Sequence, residues 1–120
     1  MCGIAGYIGK RQLSDTAVAA CHALMGRRGP DAVGYYHHTA GPERHVALLH
    51  SRLSIIALDE RANQPMQRGP HVVATNGEIY NFLELREELE AQSERFTTQS
   101  DTEVLLAAIA RWGMAEALDR

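Results

Sequence analysis

The chain has 120 residues, 12 basic against 15 acidic side chains, and a formal charge of −3. At 45% apolar and 22% charged residues it has the balance of a folded globular domain and not of a disordered segment. The mild acidity argues against nucleic acid or an anionic membrane as partner, and the longest apolar run, Val104 to Ala110, falls far short of the ~20 residues that span a bilayer. Lys10 and Arg11 follow the apolar start instead of preceding it, so no secretory leader is read and the expected location is the cytoplasm.

Residues Cys2 to Gly9 mix small, β-branched and aromatic types and predict a short buried strand, with Gly3, Gly6 and Gly9 marking close backbone approach. Ser14-Asp15 is a helix start; Ala17, Val18, Cys21, Leu24 and Met25 follow at helical spacing, which turns Cys21 toward a core. Gly26 to Pro30 ends that helix. Val33 to Thr39 and His45 to His50 predict two strands joined at Gly41-Pro42. Arg52 to Leu58 reads as extended, followed by a polar loop through Pro65 and Gly69-Pro70. His71 to Thr75 predicts a strand that ends at the turn dipeptide Asn76-Gly77. Phe82 to Ala91 is an amphipathic helix, and Ser100-Asp101-Thr102-Glu103 is a capping box before a helix carrying Val104, Leu105, Ala108, Ile109 and Trp112. Strands in a run instead of strict alternation with helices favour α+β with antiparallel sheet.

Several positions have the chemistry for a site, each with an ordinary structural alternative. Removal of Met1 makes Cys2 a thiol of pKa about 8.5 beside its own α-amine of pKa about 7.7–8.0, the N-terminal form of an activated nucleophile. Asn76 and the N–H of Gly77 are two donors suited to an oxyanion, although Asn-Gly is also the commonest hairpin turn. Arg52 has the planar fork that binds a carboxylate. Asp101 suits an ammonium group, provided that Ser100 and Glu103 do the capping; acidic residues at helix starts are also stabilising without any ligand. Cys2 and Cys21 lack neighbours at zinc-ligand spacing, and His37-His38 lacks a third ligand, so no metal site is read. His22, His45 and His71 read as structural.

The joint order of these motifs is far more specific than any one of them. Met1-Cys2-Gly3-Ile4-Ala5-Gly6, Arg28-Gly29-Pro30-Asp31, His50-Ser51-Arg52-Leu53-Ser54-Ile55, Gln64-Pro65, Asn76-Gly77-Glu78-Ile79-Tyr80-Asn81 and Ser100-Asp101-Thr102-Glu103 occur in one order. In this the chain resembles the glutaminase domain of class II, N-terminal nucleophile, glutamine amidotransferases. Arg-Gly-Pro-Asp, Arg-Leu-Ser-Ile and Asn-Gly-Glu-Ile-Tyr-Asn are most similar to the glutamine-hydrolysing asparagine synthetases among them. One position departs: Arg27 stands where the family usually has His.

The resemblance implies an N-terminal nucleophile hydrolase-type four-layer α-β-β-α sandwich over 1–120, cut before its last strands. It implies Cys2 as nucleophile, its α-amine as base, Asn76 and Gly77 at the oxyanion, and Arg52 on the substrate α-carboxylate. Asp101 and Glu78 would take the α-ammonium, with Leu53, Ser54, Ile55 and Ile56 lining the pocket. Glutamine is the implied substrate, and the glutaminase step needs no cofactor. ATP and magnesium belong to a synthetase domain of the same polypeptide that lies outside these residues, and an oligomer stays open. Two alternatives remain: another class II amidotransferase aminating a sugar, peptide or cell-surface polymer, and a non-catalytic glutaminase-like module. The isolated 120 residues are expected to be poorly stable and inactive.

Overall fold

The computed structural model describes residues 1–54 and 60–120, which fall into two units. The first gathers Met1–Ser54, Asn63–Pro65 and Ala74–Asn76. Its frame is a three-stranded antiparallel sheet of β1 (Gly3–Gly9), β2 (Ala32–Thr39) and β3 (His45–Arg52), in the order β1-β3-β2. Helix α1 (Asp15–Met25) links β1 to β2, and the Ser14 hydroxyl accepts the Ala17 N–H at 3.2 Å as its N-cap.

Side chains alternate across a strand, so β3 presents two faces. Ala47, Leu49 and Ser51 lie on the face they share with Gly3, Ala5 and Tyr7 of β1. Helix α1 packs on this side: a Cβ on Gly3 would meet the Met25 side chain at 2.9 Å. His50 and Arg52 lie on the other face, with Gly34 opposite His50. There the segment Asn63–Pro65 approaches so closely that a Cβ on Gly34 would sit 1.9 Å from the Gln64 carbonyl oxygen. Leu49, His50 and Ser51 are all within 1% of complete burial.

The second unit contains the 3₁₀ turn Glu60–Ala62, the hairpin of β4 (Met66–Arg68) and β5 (His71–Val73), and helices α2 (Phe82–Ala91), α3 (Asp101–Trp112) and α4 (Met114–Asp119). Its core joins Leu85 and Leu89 of α2 to Val104, Ala107, Ala108 and Ile109 of α3 and Ala117 of α4. The i, i+3, i+4 spacing of these residues gives each helix one apolar stripe. Phe96 lies beside this core, with the Arg86 guanidinium 4.6 Å and the Arg68 guanidinium 5.7 Å from its ring centre.

The α+β class with antiparallel sheets matches expectation and suits an N-terminal nucleophile hydrolase-type domain. Several local readings need correction. β1 is a sheet edge with Ile4 and Ile8 exposed, not a buried strand. Cys21 is only half-buried, and no residue of α1 is buried. The polar loop through Gly69-Pro70 is a hairpin turn, because Gly69 takes a positive φ of 55° that lets β4 fold back on β5. Past the expected helix through Trp112, Gly113, at φ 83°, stops α3 and starts a further short helix, α4. The stretch read as extended from Arg52 to Leu58 lies mostly outside the described residues.

Candidate active site

The β1–β3 register sets Gly3 against Ser51 and so brings Cys2 to the end of β3. The Cys2 Sγ accepts the Leu53 N–H at 3.4 Å and lies 3.8 Å from the Leu53 carbonyl oxygen, to which its S–H donates. Met1 precedes Cys2 here, so the Cys2 nitrogen is an amide and not yet a base. One residue before Leu53, the Arg52 side chain is buried at 7% exposure. Its Nη1 donates to the Asn63 Oδ1 at 2.7 Å, which fixes the plane of the guanidinium.

The loop after α1 clamps this strand end. The Asp31 N–H donates to the Arg52 carbonyl at 3.0 Å, and the Asp31 carboxylate accepts the Ser54 N–H at 2.7 Å. Gly29 lies against the strand: a Cβ there would come within 2.1 Å of the Ser51 carbonyl oxygen. The Arg-Gly-Pro-Asp loop therefore does more than end a helix. It shapes residues 51–54, while Arg27 and Arg28 are exposed.

Asn76 is reached by a different route. The strand expected over His71 to Thr75 ends at Val73, because the Thr75 backbone bonds to side chains instead of a ladder. The Thr75 N–H donates to the Gln64 Oε1 at 2.7 Å, and its carbonyl faces the His50 Nε2 at 3.2 Å. A carbonyl only accepts, so Nε2 carries the hydrogen. Burial holds His50 below the ordinary histidine value, the bond to Thr75 opposes this, and the Arg52 charge adds to the lowering. Its Nδ1 is buried with no hydrogen-bond partner among the described residues. Asn76 itself is exposed.

Gly77 and Glu78 are exposed and belong to the second unit with Asp101. No turn back into a strand follows Asn76-Gly77, so the hairpin reading does not hold. A Cβ on Gly77 would meet nothing within 4 Å. The chain itself therefore places no steric demand for glycine there.

Asp101 is buried at 9% exposure and opens α3. Its Oδ2 accepts the Ile79 N–H at 3.0 Å, tying down the residue after Glu78, and its Oδ1 accepts the Thr102 N–H at 2.8 Å. The capping box is not formed as expected. Ser100 Oγ accepts the Thr102 N–H at 3.2 Å, but Glu103 reaches past Ser100 to Thr97 and Thr98, so Asp101 shares the capping. Burial alone would raise the Glu103 pKa; hydrogen bonds from the side chains and N–H groups of Thr98 and Thr97 outweigh it and hold the carboxyl below its ordinary value.

Within the first unit, the fold thus supports Cys2, Leu53, Ser54, Arg52 and Asn76 from one strand end. Ile55 and Ile56 lie outside the described residues. Asp31, His50, Asn63 and Gln64 are supports that sequence reasoning did not assign. Among the described residues, no group of three or more His, Cys, Asp and Glu side chains is placed to hold a metal ion, and no helix is long and apolar enough to cross a membrane.

A family model described as a glutamine amidotransferase domain matches residues 1–120. Asparagine synthetase [glutamine-hydrolyzing] 1 of Bacillus subtilis is 43% identical over 114 residues, covering 89% of this chain and 17% of that protein. A putative asparagine synthetase [glutamine-hydrolyzing] of Mycobacterium tuberculosis is 41% identical over 112 residues, or 88% of this chain and 17% of its own. Amidase chry2 of Gibberella zeae is 38% identical over 95 residues, 77% and 13% of the two chains. The chain thus spans about a sixth of the length of the curated relatives first matched.

Proposed function

The chain belongs to the glutamine amidotransferase domain family, and we propose that it hydrolyses glutamine to glutamate and ammonia with Cys2 as nucleophile. The observation that carries this reading is the Cys2 Sγ resting on the Leu53 N–H, one residue beyond the buried Arg52 guanidinium.

Once Met1 is removed, the Cys2 α-amine takes the S–H proton as sulfur attacks the carboxamide carbon. The C=O electron pair moves onto oxygen, where the Asn76 amide and the Gly77 N–H donate to it. The exposure of Gly77 and the open space beside its Cα suit this role. Collapse of the tetrahedral adduct breaks the C–N bond, and the amine returns its proton to the leaving ammonia. Water then adds to the thioester, and glutamate leaves as sulfur regains a proton. Arg52 binds the substrate α-carboxylate, Glu78 and Asp101 its α-ammonium, and the backbone of Leu53 and Ser54 lines the pocket.

The names of the Bacillus and Mycobacterium relatives, glutamine-hydrolysing asparagine synthetases, support use of the ammonia to make asparagine; the reading adds aspartate as acceptor, a synthetase domain of the same polypeptide and the cytoplasm as the place. ATP and magnesium serve that domain. The test follows glutamate release by the full-length gene product, with mass spectrometry of its N-terminus. Wild-type protein starts at Cys2 and turns over; Cys2→Ala folds and releases no glutamate above background. Turnover by Cys2→Ala, or by protein that retains Met1, sinks the reading. A second reading keeps the glutamine chemistry but changes the acceptor; the observation behind it is a match to a protein named an amidase and not a synthetase. Formation of asparagine from aspartate, glutamine and ATP separates the two.

A further inference from the structure

We propose that His50 and Gln64 are the positioning residues that aim Asn76 at the oxyanion, an inference that rests on the oxyanion role given to Asn76 above. The residue before Asn76 has both backbone groups held, one by each side chain: the Thr75 carbonyl by His50 Nε2–H at 3.2 Å and the Thr75 N–H by Gln64 Oε1 at 2.7 Å. The peptide group is planar, so the Thr75 carbonyl lies in one plane with the nitrogen and Cα of Asn76. Fixing that oxygen fixes where the Asn76 side chain starts. The Thr75 N–H fixes the preceding plane, and the two bonds together pin both soft dihedrals of Thr75.

Among the described residues, these two bonds are what holds the Thr75 backbone. β5 ends at Val73, so residues 74–76 have no strand pairing, and Asn76 is exposed. The two holders are themselves buried. His50 is 1% exposed on the central strand β3, and Gln64 is 8% exposed in a segment whose backbone is seated against Gly34 of β2. His50 also has a chemical reason to stay a donor through Nε2: its Nδ1 is enclosed without a partner among the described residues, and Arg52 stands two residues along the same face. An oxyanion donor must be in place before charge develops, and misplacement by about 1 Å can cost about 10²-fold in rate.

The experiment measures glutamate release by the full-length gene product carrying His50→Leu, His50→Gln, Gln64→Leu and Asn76→Ala, alone and with His50→Leu combined with Asn76→Ala. His50→Leu is expected to lower kcat by about 10–100-fold with KM for glutamine within about twofold, since the lost interaction acts in the transition state. His50→Gln keeps an N–H donor at similar reach and restores most of the rate. In the Asn76→Ala background, His50→Leu adds less than about threefold, because the group that it aims is gone. Gln64→Leu repeats the kcat loss and carries the test where His50→Leu does not fold, as judged by its thermal melt. Independent multiplication of the His50→Leu and Asn76→Ala losses overturns the proposal, as does a His50→Leu effect on KM alone or a failed rescue by His50→Gln in folded protein. An Asn76→Ala protein with wild-type kcat instead overturns the oxyanion reading itself, whatever His50→Leu does.

Discussion

In the first unit, the groups around Cys2 and Asn76 are held by side chains far away in sequence. Asp31 reaches Ser54 across 23 positions, His50 reaches Thr75 across 25, and Gln64 reaches Thr75 across 11. In the second unit, the start of α3 is held by its own neighbours. Glu103 accepts from Thr98 and Thr97, five and six positions back, and Ser100 and Asp101 accept from Thr102. Two longer bonds join them: Asp101 reaches Ile79 across 22 positions, and Arg86 donates to the Thr98 carbonyl across 12. A local cap stabilises its helix whether or not a ligand exists. A long-range bond to an irregular segment has no helix to stabilise, and its effect is to fix where that segment sits. Removing supports from the first unit should therefore show up in turnover, and removing them from the second should show up in stability.

The largest effect expected is on stability. Glu103→Ala leaves the Thr97 and Thr98 N–H groups without their acceptor and should cost about 2–3 kcal/mol, read as a lowered Tm. Its kcat for glutamine, measured well below the melt, should stay within about twofold. A kcat loss of the size expected for His50→Leu would break the contrast between the units.

Asp31→Ala should cost less stability, about 1 kcal/mol, because the bond to Ser54 is solvent-exposed. Here KM for glutamine should rise, since Leu53 and Ser54 lose the clamp that shapes them. A pure Tm effect with unchanged KM would place Asp31 with the caps and not with the site.

Acidification offers the smallest and most discriminating effect. His50 is held below its ordinary 6.5, so the unfolded chain takes up that proton first. Stability from this group is complete above pH 6.5 and declines as pH falls from there toward the lowered value. Glu103 is held below 4.5, so its contribution is present above that pH and is lost only as pH falls further. Hydrogen exchange resolved to individual amides should show β3 opening more easily from about pH 6.5 downward, and α3 only below about pH 4.5. His50→Gln should abolish the first slope and leave the second.

This contrast also explains what could be read from the chain alone. The α2 limits, the Ser14 cap and the Gly41-Pro42 connection follow from neighbours a few residues apart, and all three were legible. Gly113 carried a readable signal as well, since glycine after a helical run favours a positive φ. The three-residue strands β4 and β5 are too short for a period of two to declare itself. The proposed site was read as a set of residue types in order, because a nucleophile, oxyanion donors and a carboxylate binder each call for particular chemistry. Its supports were not. Nothing local to His50 says that its ring meets Thr75, and nothing local to Gln64 distinguishes it from a loop residue. Those facts appear only once β3 has paired with both neighbours and chosen its faces.

The two faces of β3 have a consequence for how the strand tolerates change. Ala47, Leu49 and Ser51 lie on the face toward helix α1, while His50 and Arg52 lie on the face given to the proposed site, and the two sets interleave one by one along the chain. The strand works like a tape with two tracks. A substitution edits one track at a time, whereas a slip of one residue in pairing would swap the tracks entirely and set Ser51 where His50 must be. Libraries that vary this strand should therefore keep its register fixed through both neighbours and randomise odd and even positions separately.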